Sequence, residues 1–153
     1  MSIEARLTEL GLALHPAPKP IAAYVPSVRT GSLVFISGQL PLTGQSLLAQ
    51  GKVPRDVPVD QAQAAAAQCV LNALAVLKAE LDGDLSKVRR VVRVGVFVQS
   101  TDEFDKQSQV ANGASELLEK VLGEQGRHVR AAVGVNALPL NAAVEVEFVF
   151  EVE

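Results

Sequence analysis

The amino-acid sequence predicts an α+β fold in which a mixed β-sheet carries two long helices on one face. The predicted elements follow in the order helix, β-hairpin, loop, long helix, strand, helix, strand, strand, which is not an uninterrupted βαβ winding. The chain has 153 residues, of which 48% are hydrophobic and 20% charged, so it can build one core without disulfides. We therefore treat residues 1–153 as a single domain.

Residues 1–20 are predicted to form a short helix followed by a proline-rich connector. Over residues 2–14, apolar side chains recur every three or four positions, and Ser2 stands where an N-cap is expected. The run from His15 to Pro20 contains three prolines, which lack the backbone donor that a helix needs. The connector should therefore be extended.

A β-hairpin and a long loop are predicted next. Residues 24–28 and 32–39 have strand-like patterns, and the segment 29–32 between them has the composition of a turn. Residues 41–58 contain three prolines and two glycines without a sustained period. We expect a loop there, with room for a short strand.

A long helix and a central strand come after this loop. Asp60 and Gln63 have the spacing of a capping box, and Gly83 can terminate the helix that they begin. The segment Val88–Gln99 is rich in valine, and its apolar middle part indicates a strand that is covered on both faces.

The second long helix and two strands complete the chain. Ser100 with Glu103 has the spacing of another capping box, and Gly123 marks the end of that helix. Strands are predicted over residues 130–136 and 143–152, and the second of them alternates apolar side chains with glutamates. If helices cover one side of the sheet, these glutamates face solvent or another subunit.

The pairing of the last two strands bears on a possible ligand site. If they pair about a turn near Pro139, five residues share one face: Arg130, Ala132, Gly134, Glu145 and Glu147. Small residues beside one arginine would leave room for a ligand.

Composition excludes several classes of protein. A net charge of −3 and an aromatic content of 4% disfavour binding to nucleic acid. No apolar stretch is long enough to span a membrane, and the N-terminus lacks the pattern of a signal peptide. Cys69 is the single cysteine, so no internal disulfide can form. We therefore expect a cytoplasmic protein that binds neither nucleic acid nor membrane.

Common catalytic motifs are absent from the sequence, so we predict no metal site and no cofactor. Cys69 lies among alanines in the long helix, which favours a small buried side chain over a nucleophile. His128 has two interpretations, a general base or a surface or interface residue. Arg127 and Arg130 stand at the entry to a strand, where a guanidinium can bind a carboxylate with two parallel hydrogen bonds.

Several short motifs occur in an order that resembles the RidA family, also called YjgF or L-PSP. They are Tyr24-Val25-Pro26, the stretch from Phe35 to Pro41, Val94–Val98, Arg130–Val133, Leu138-Pro139 and Val144–Glu147. The resemblance extends from about Tyr24 to Glu151, and the additional N-terminal helix is typical of a longer subgroup.

The resemblance implies a chorismate-mutase-like fold, a homotrimer, and ligand clefts at the subunit interfaces. It also implies that Arg130 binds the carboxylate of a 2-imino acid and that Glu145 positions the attacking water. Tyr24, Ser37 and Asn112 match other substrate-binding positions of the family. Each of these four residues also has a purely structural interpretation. In it, Tyr24 is an aromatic residue at a strand end and Ser37 is a turn residue. Asn112 is then a residue on a helix surface, and Glu145 is a solvated strand residue.

Two functions therefore stay open at this point. The first is an enamine/imine deaminase that hydrolyses 2-imino acids to 2-oxo acids and ammonia. The second is a non-catalytic or regulatory protein that binds a small carboxylate metabolite in the same cleft. An endoribonuclease has less support because of the acidic charge, and a chorismate mutase would need more cationic groups around its dianionic substrate.

Overall fold

The computed structural model describes residues 1–19 and 22–153. Its helices and strands, in chain order, are α1 (Ile3–Glu9), β1 (Ser27–Thr30), β2 (Leu33–Gln39), β3 (Leu42–Thr43), β4 (Ser46–Leu47), α2 (Val59–Glu80), β5 (Val88–Gln99), α3 (Gln107–Leu122), β6 (Val129–Val135) and β7 (Val144–Val152). Five strands form one sheet in the order β1-β2-β7-β5-β6. Only β5 and β6 are parallel, so the sheet is mixed as predicted.

Strand β7 lies at the centre of the sheet, and its side chains point alternately to the core and to the open face of the sheet. Its apolar residues alternate with its glutamates, and a strand directs successive side chains to opposite faces. Val146, Phe148 and Phe150 are buried beneath the helices, whereas Glu145 and Glu147 point to the other face and are only half-buried. The predicted division into a helix-covered face and a face with glutamates is confirmed.

Helices α2 and α3 pack on each other and on the same face of the sheet, which confirms the fold class. Helix α2 is long and apolar enough to cross a membrane by those two criteria alone. More than half of its apolar window is buried against the sheet and α3, which is the behaviour of a core helix. Cys69 on this helix is fully buried, and burial raises the pKa of its thiol well above the usual range, as expected for a structural side chain.

The first helix and the first strand are shorter than predicted. Helix α1 ends at Glu9 rather than near residue 14, because Gly11 adopts a left-handed backbone conformation with φ of 70°. The first strand begins at Ser27 rather than at Tyr24. The loop over residues 41–58 contains β3 and β4, which pair as a minimal hairpin.

Both predicted capping boxes were wrong. Helix α2 starts at Val59, so Asp60 lies in its first turn and not at the N-cap. Helix α3 starts only at Gln107, because the hydroxyl of the buried Ser100 donates to the carbonyl of Val98 instead of capping a helix. The predicted end of α3 at Gly123 is confirmed.

The predicted pairing of the last two strands was also wrong. Strand β5 lies between β6 and β7, parallel to the first and antiparallel to the second. In this register Arg130 is level with Val94 and Phe148, which point to the helices. Arg130 therefore lies on the opposite face from Glu145. Side chains do alternate along β6 and β7, but these two strands are not neighbours, so their residues share no common register.

Helices α2 and α3 are in close contact at Gly113. A Cβ atom at this position would lie 2.1 Å from the carbonyl oxygen of Gln63, which is backbone and cannot rotate away. Gly113→Ala should therefore destabilise the fold by about 1–3 kcal/mol, although alanine favours a helix by about 1 kcal/mol. Ser108→Ala on the exposed side of α3 is the control, and chemical denaturation compares the two. An unchanged or higher free energy of unfolding for Gly113→Ala would contradict this packing.

Candidate functional site

The five residues predicted to form the site fall into two separate groups. Tyr24, Ser37 and Glu145 line one cleft. Asn112 and Arg130 are hydrogen-bonded to each other on the other face of the sheet. The structure therefore brings together the members of each group, but it does not bring the two groups together within one chain.

The first group surrounds a cleft at the end of β2 and β7. The cleft has a volume of about 60 Å³, which is small beside the roughly 300–1,000 Å³ of typical ligand pockets. Gly38 allows Glu145 to enter it, since a Cβ atom at Gly38 would lie 2.1 Å from the carboxylate Oε1. The register between β2 and β7 shifts between Ile36 and Gln39, which re-aims the strand at this point.

Two residues of the N-terminal connector, Pro18 and Lys19, also line this cleft. They had not been predicted, because a proline-rich connector carries no periodic signal that would place it in space. Tyr24 is half exposed at the cleft, and the Ser37 hydroxyl donates to the carbonyl of Pro26 at 3.1 Å. Ser37 therefore holds the chain that leads from Tyr24 into β1.

Glu145 is the acidic side chain that lines this cleft. Burial raises the pKa of its carboxyl group, and the nearby negative charge of Glu147 raises it further. Glu147 itself is paired with Arg93, at 2.9 Å between carboxylate and guanidinium. Lys19 lines the same cleft but forms no ion pair with Glu145 among the described residues, so the protonated form of Glu145 is favoured relative to an exposed glutamate.

Glu145→Gln should stabilise the fold at neutral pH. The raised pKa means that the ionised carboxylate is disfavoured in the folded state, so wild-type stability falls as pH rises through that pKa. The gain is about 0.5 kcal/mol at pH 7, because the group is half exposed and solvent screens its charge. It should vanish below about pH 4, where both side chains are neutral. Denaturation curves of both proteins at pH 4 and pH 7 measure the difference, and a gain independent of pH would contradict the assignment.

The second group lies between α3 and the edge strand β6. Nη1 of Arg130 donates to Asn112 Oδ1 at 2.8 Å and to Ser115 Oγ at 3.1 Å. Ser115 Oγ also lies 2.9 Å from His128 Nε2, and His128 Nδ1 lies 2.6 Å from the carbonyl oxygen of Gly126. One hydrogen-bonded chain thus connects the exposed guanidinium with the half-buried imidazole.

His128 and Arg127 are both engaged by neighbouring groups. Burial lowers the pKa of His128, and the positive charge of Arg130 lowers it further, despite the hydrogen bond to Gly126. The neutral ring is thus favoured relative to that of an exposed histidine, and both of its nitrogens lie within hydrogen-bond distance of a partner. Arg127 is paired with Glu119 at 3.1 Å and lies 3.7 Å from Glu124. Its guanidinium is therefore occupied, which leaves Arg130 as the better candidate for a carboxylate.

Space for a ligand beside Arg130 differs from the prediction. The gap at Gly134 is filled by the chain's own side chains, because a Cβ atom there would lie 2.7 Å from Ser100 Oγ and 2.8 Å from Gln107 Nε2. The row of small residues therefore leaves no room for a ligand at Gly134, whereas Arg130 itself is exposed.

The two groups are well separated in one chain. Arg130 is level with Val94 of β5 and Glu145 is level with Phe97, so they differ by two strands and three residues along the sheet. Their Cα atoms are therefore about 14 Å apart, and their side chains leave opposite faces. A ligand bound by both would need them from different subunits.

The fold and the two groups of residues place the chain among small α+β proteins, with an arginine at a sheet edge and an acidic cleft on the opposite face. The family model described as Endoribonuclease L-PSP matches residues 14–152. The chain therefore belongs to the L-PSP family, the family to which the sequence motifs pointed.

Known proteins resemble the chain over nearly its whole length. Protein TCP17 of Trypanosoma cruzi is 44% identical over 97% of this chain and 93% of its own length. A 2-iminobutanoate/2-iminopropanoate deaminase of Dermatophagoides farinae is 29% identical over 90% of this chain and 91% of its own. The crystal structure of the protein Atu1372 from Agrobacterium tumefaciens superposes with a TM-score of 0.93 at 50% identity, covering 99% of this chain and 92% of that one.

Proposed function

We propose that this protein is an enamine/imine deaminase that hydrolyses 2-imino acids to 2-oxo acids and ammonia. The proposal depends mainly on one observation: the carboxyl group of Glu145 is half-buried in a cleft, and its pKa is raised there. Arg130 supports it, because part of its guanidinium points to solvent and can bind an α-carboxylate. The relative named as a deaminase is consistent with the same chemistry.

The reaction needs one general base and one anchor. Arg130 binds the carboxylate and orients the planar imine, so that its electrophilic carbon faces the water held by Glu145. Glu145 accepts a proton from this water as the new C–O bond forms, the electron pair of the C=N π bond moves to nitrogen, and the nitrogen takes a proton from solvent to give a carbinolamine. Protonated Glu145 then returns its proton to the nitrogen, the carbinolamine hydroxyl releases its proton to solvent as the C=O bond forms, and the C–N bond breaks so that ammonia leaves. A raised pKa suits a group that both accepts and donates a proton.

The site also requires a second subunit, and we propose a homotrimer in which Arg130 of one chain meets Glu145 of its neighbour. The open face of the sheet supports this assembly, because it exposes large apolar side chains. These are Val28, Phe35, Val129 and Val133, each at least 45% exposed. A depression of about 400 Å³ lies on the same face beside Phe35 and Ser37, and a side chain of a partner subunit would fit into it.

The protein should therefore be trimeric at micromolar concentration. Phe35→Glu places a charge on the open face, where it would be desolvated between subunits, so this variant should be largely monomeric. Leu48→Glu is the control, since Leu48 is equally exposed but lies outside the sheet. Light scattering after size-exclusion chromatography gives the three masses. A monomeric wild type, or a trimer unaffected by Phe35→Glu, would contradict the assembly.

One assay separates a deaminase from a binding protein. An amino-acid oxidase generates 2-imino acids in situ, and their trapping by semicarbazide is followed with and without the protein. Faster disappearance of the imine than in the uncatalysed reaction supports catalysis, whereas an unchanged rate with measurable binding of a 2-oxo acid supports the non-catalytic alternative. We also propose a reducing, cytoplasmic location, which fits the single buried thiol of Cys69.

A further inference from the structure

The guanidinium of Arg130 is held by the protein along one side only. Nη1 uses its two hydrogens on Asn112 Oδ1 and Ser115 Oγ. In the described residues, Nε and Nη2 of Arg130 have no protein acceptor within hydrogen-bond distance. These two nitrogens form the edge of the guanidinium that offers two parallel donors, which is the geometry that a carboxylate accepts.

The direction of the hydrogen bonds behind Arg130 follows from the groups involved. The carbonyl oxygen of Gly126 can only accept, so His128 carries a proton on Nδ1. In the neutral ring Nε2 is then an acceptor, and the Ser115 hydroxyl donates to it at 2.9 Å. Since a guanidinium can only donate, the same Ser115 oxygen accepts from Arg130. Donors and acceptors are therefore matched from the imidazole to the guanidinium.

We propose that Ser115 and His128 are positioning residues, which fix Nη1 of Arg130 so that its Nε–Nη2 edge binds the carboxylate of the ligand. Neither residue touches the ligand in this arrangement. Asn112 belongs to the same set, because its amide oxygen is already used by Arg130. This inference rests on the proposed function, since it requires Arg130 to bind a carboxylate.

A double-mutant cycle tests whether Ser115 acts through Arg130. The probe is 2-oxobutanoate, titrated by calorimetry into the wild type, Ser115→Ala, Arg130→Ala and the double variant. Ser115→Ala should weaken binding about 3- to 10-fold in the wild-type background and have no effect in the Arg130→Ala background. Ser115→Thr keeps the hydroxyl and should restore binding, whereas Ser108→Ala, an exposed serine on the same helix, should change nothing.

NMR titration of His128 supplies a readout that does not depend on catalysis. The charge of Arg130 lowers the pKa of His128, so Arg130→Ala should raise this pKa in the ligand-free protein. Saturation with 2-oxobutanoate should also raise it in the wild type, because the carboxylate offsets the charge of Arg130. The same addition should leave the pKa unchanged in Arg130→Ala.

The outcomes of these experiments distinguish a failure of the proposed function from a failure of the positioning role alone. Equal affinity of the wild type and Arg130→Ala for 2-oxobutanoate would remove the proposed function, and the positioning role with it. A loss of affinity in Arg130→Ala without any loss in Ser115→Ala would remove the positioning role alone. So would an equal effect of Ser115→Ala in both backgrounds, or a His128 pKa that does not respond to Arg130.

Discussion

Glu145→Gln should lower the rate of imine hydrolysis about 100- to 10,000-fold, the range typical for loss of a general base. Glutamine has nearly the shape of glutamate but cannot accept the proton of the attacking water. Because the raised pKa implies that a neutral side chain is tolerated better here than the ionised carboxylate, the variant should be folded and slightly more stable at pH 7. Loss of activity together with a gain in stability would show that the carboxylate of Glu145 is needed for the reaction but destabilises the folded protein.

Glu147→Gln is the matched control for this prediction. It removes a glutamate from the same strand face, two residues away and paired with Arg93. The variant should remain active at pH 7, but the acidic limb of its pH–rate profile should move to lower pH, because the charge of Glu147 raises the pKa of Glu145. Wild-type activity in Glu145→Gln, or an equal loss in both variants, would remove Glu145 from the reaction.

Arg130→Ala should cost about 2–4 kcal/mol of binding free energy for a 2-oxo acid, because two charge-assisted hydrogen bonds to its carboxylate are lost. Arg130→Lys keeps the charge but not the planar pair of donors, so it should recover only part of the loss. The fold should survive both changes, since the side chain is exposed at the sheet edge. Calorimetric titration with 2-oxobutanoate measures the three affinities.

Arg127→Ala controls for the loss of a positive charge near the same strand. Its guanidinium is exposed and paired with Glu119, so its removal should change the affinity by less than about 0.5 kcal/mol. Similar effects of the Arg127 and Arg130 substitutions would indicate general electrostatic attraction. Only a loss specific to Arg130 agrees with a defined carboxylate site.

Local periodicity was sufficient to predict most of the elements. The alternation in β7 and the valine-rich β5 reflect burial on one or both faces, which a sequence records directly. The same patterns do not indicate which strand pairs with which. Strands that are adjacent in sequence often pair, and this tendency favoured the incorrect hairpin of β6 with β7. The false cap at Ser100 arose because its hydroxyl has another acceptor, the carbonyl of Val98.

The candidate site was predictable only in part. Resemblance to the family supplied its five residues, and the structure groups them by face. Ser115 and the hydrogen bond that it shares with His128 could not be predicted, because they depend on how a helix side chain meets a turn thirteen residues later. Lys19 reaches the cleft from a segment without periodicity, so local patterns gave no signal for it.

Hybrid trimers test most directly whether the site is shared between subunits. Arg130→Ala and Glu145→Gln each remove one half-site, and mixed trimers are formed by co-expression of the two variants with different tags. In a cyclic trimer that contains both variants, one interface in three combines an intact Arg130 with an intact Glu145, so purified hybrids should regain about a third of wild-type imine hydrolysis. Hybrids no more active than either variant alone would contradict a site made from Arg130 of one chain and Glu145 of the next.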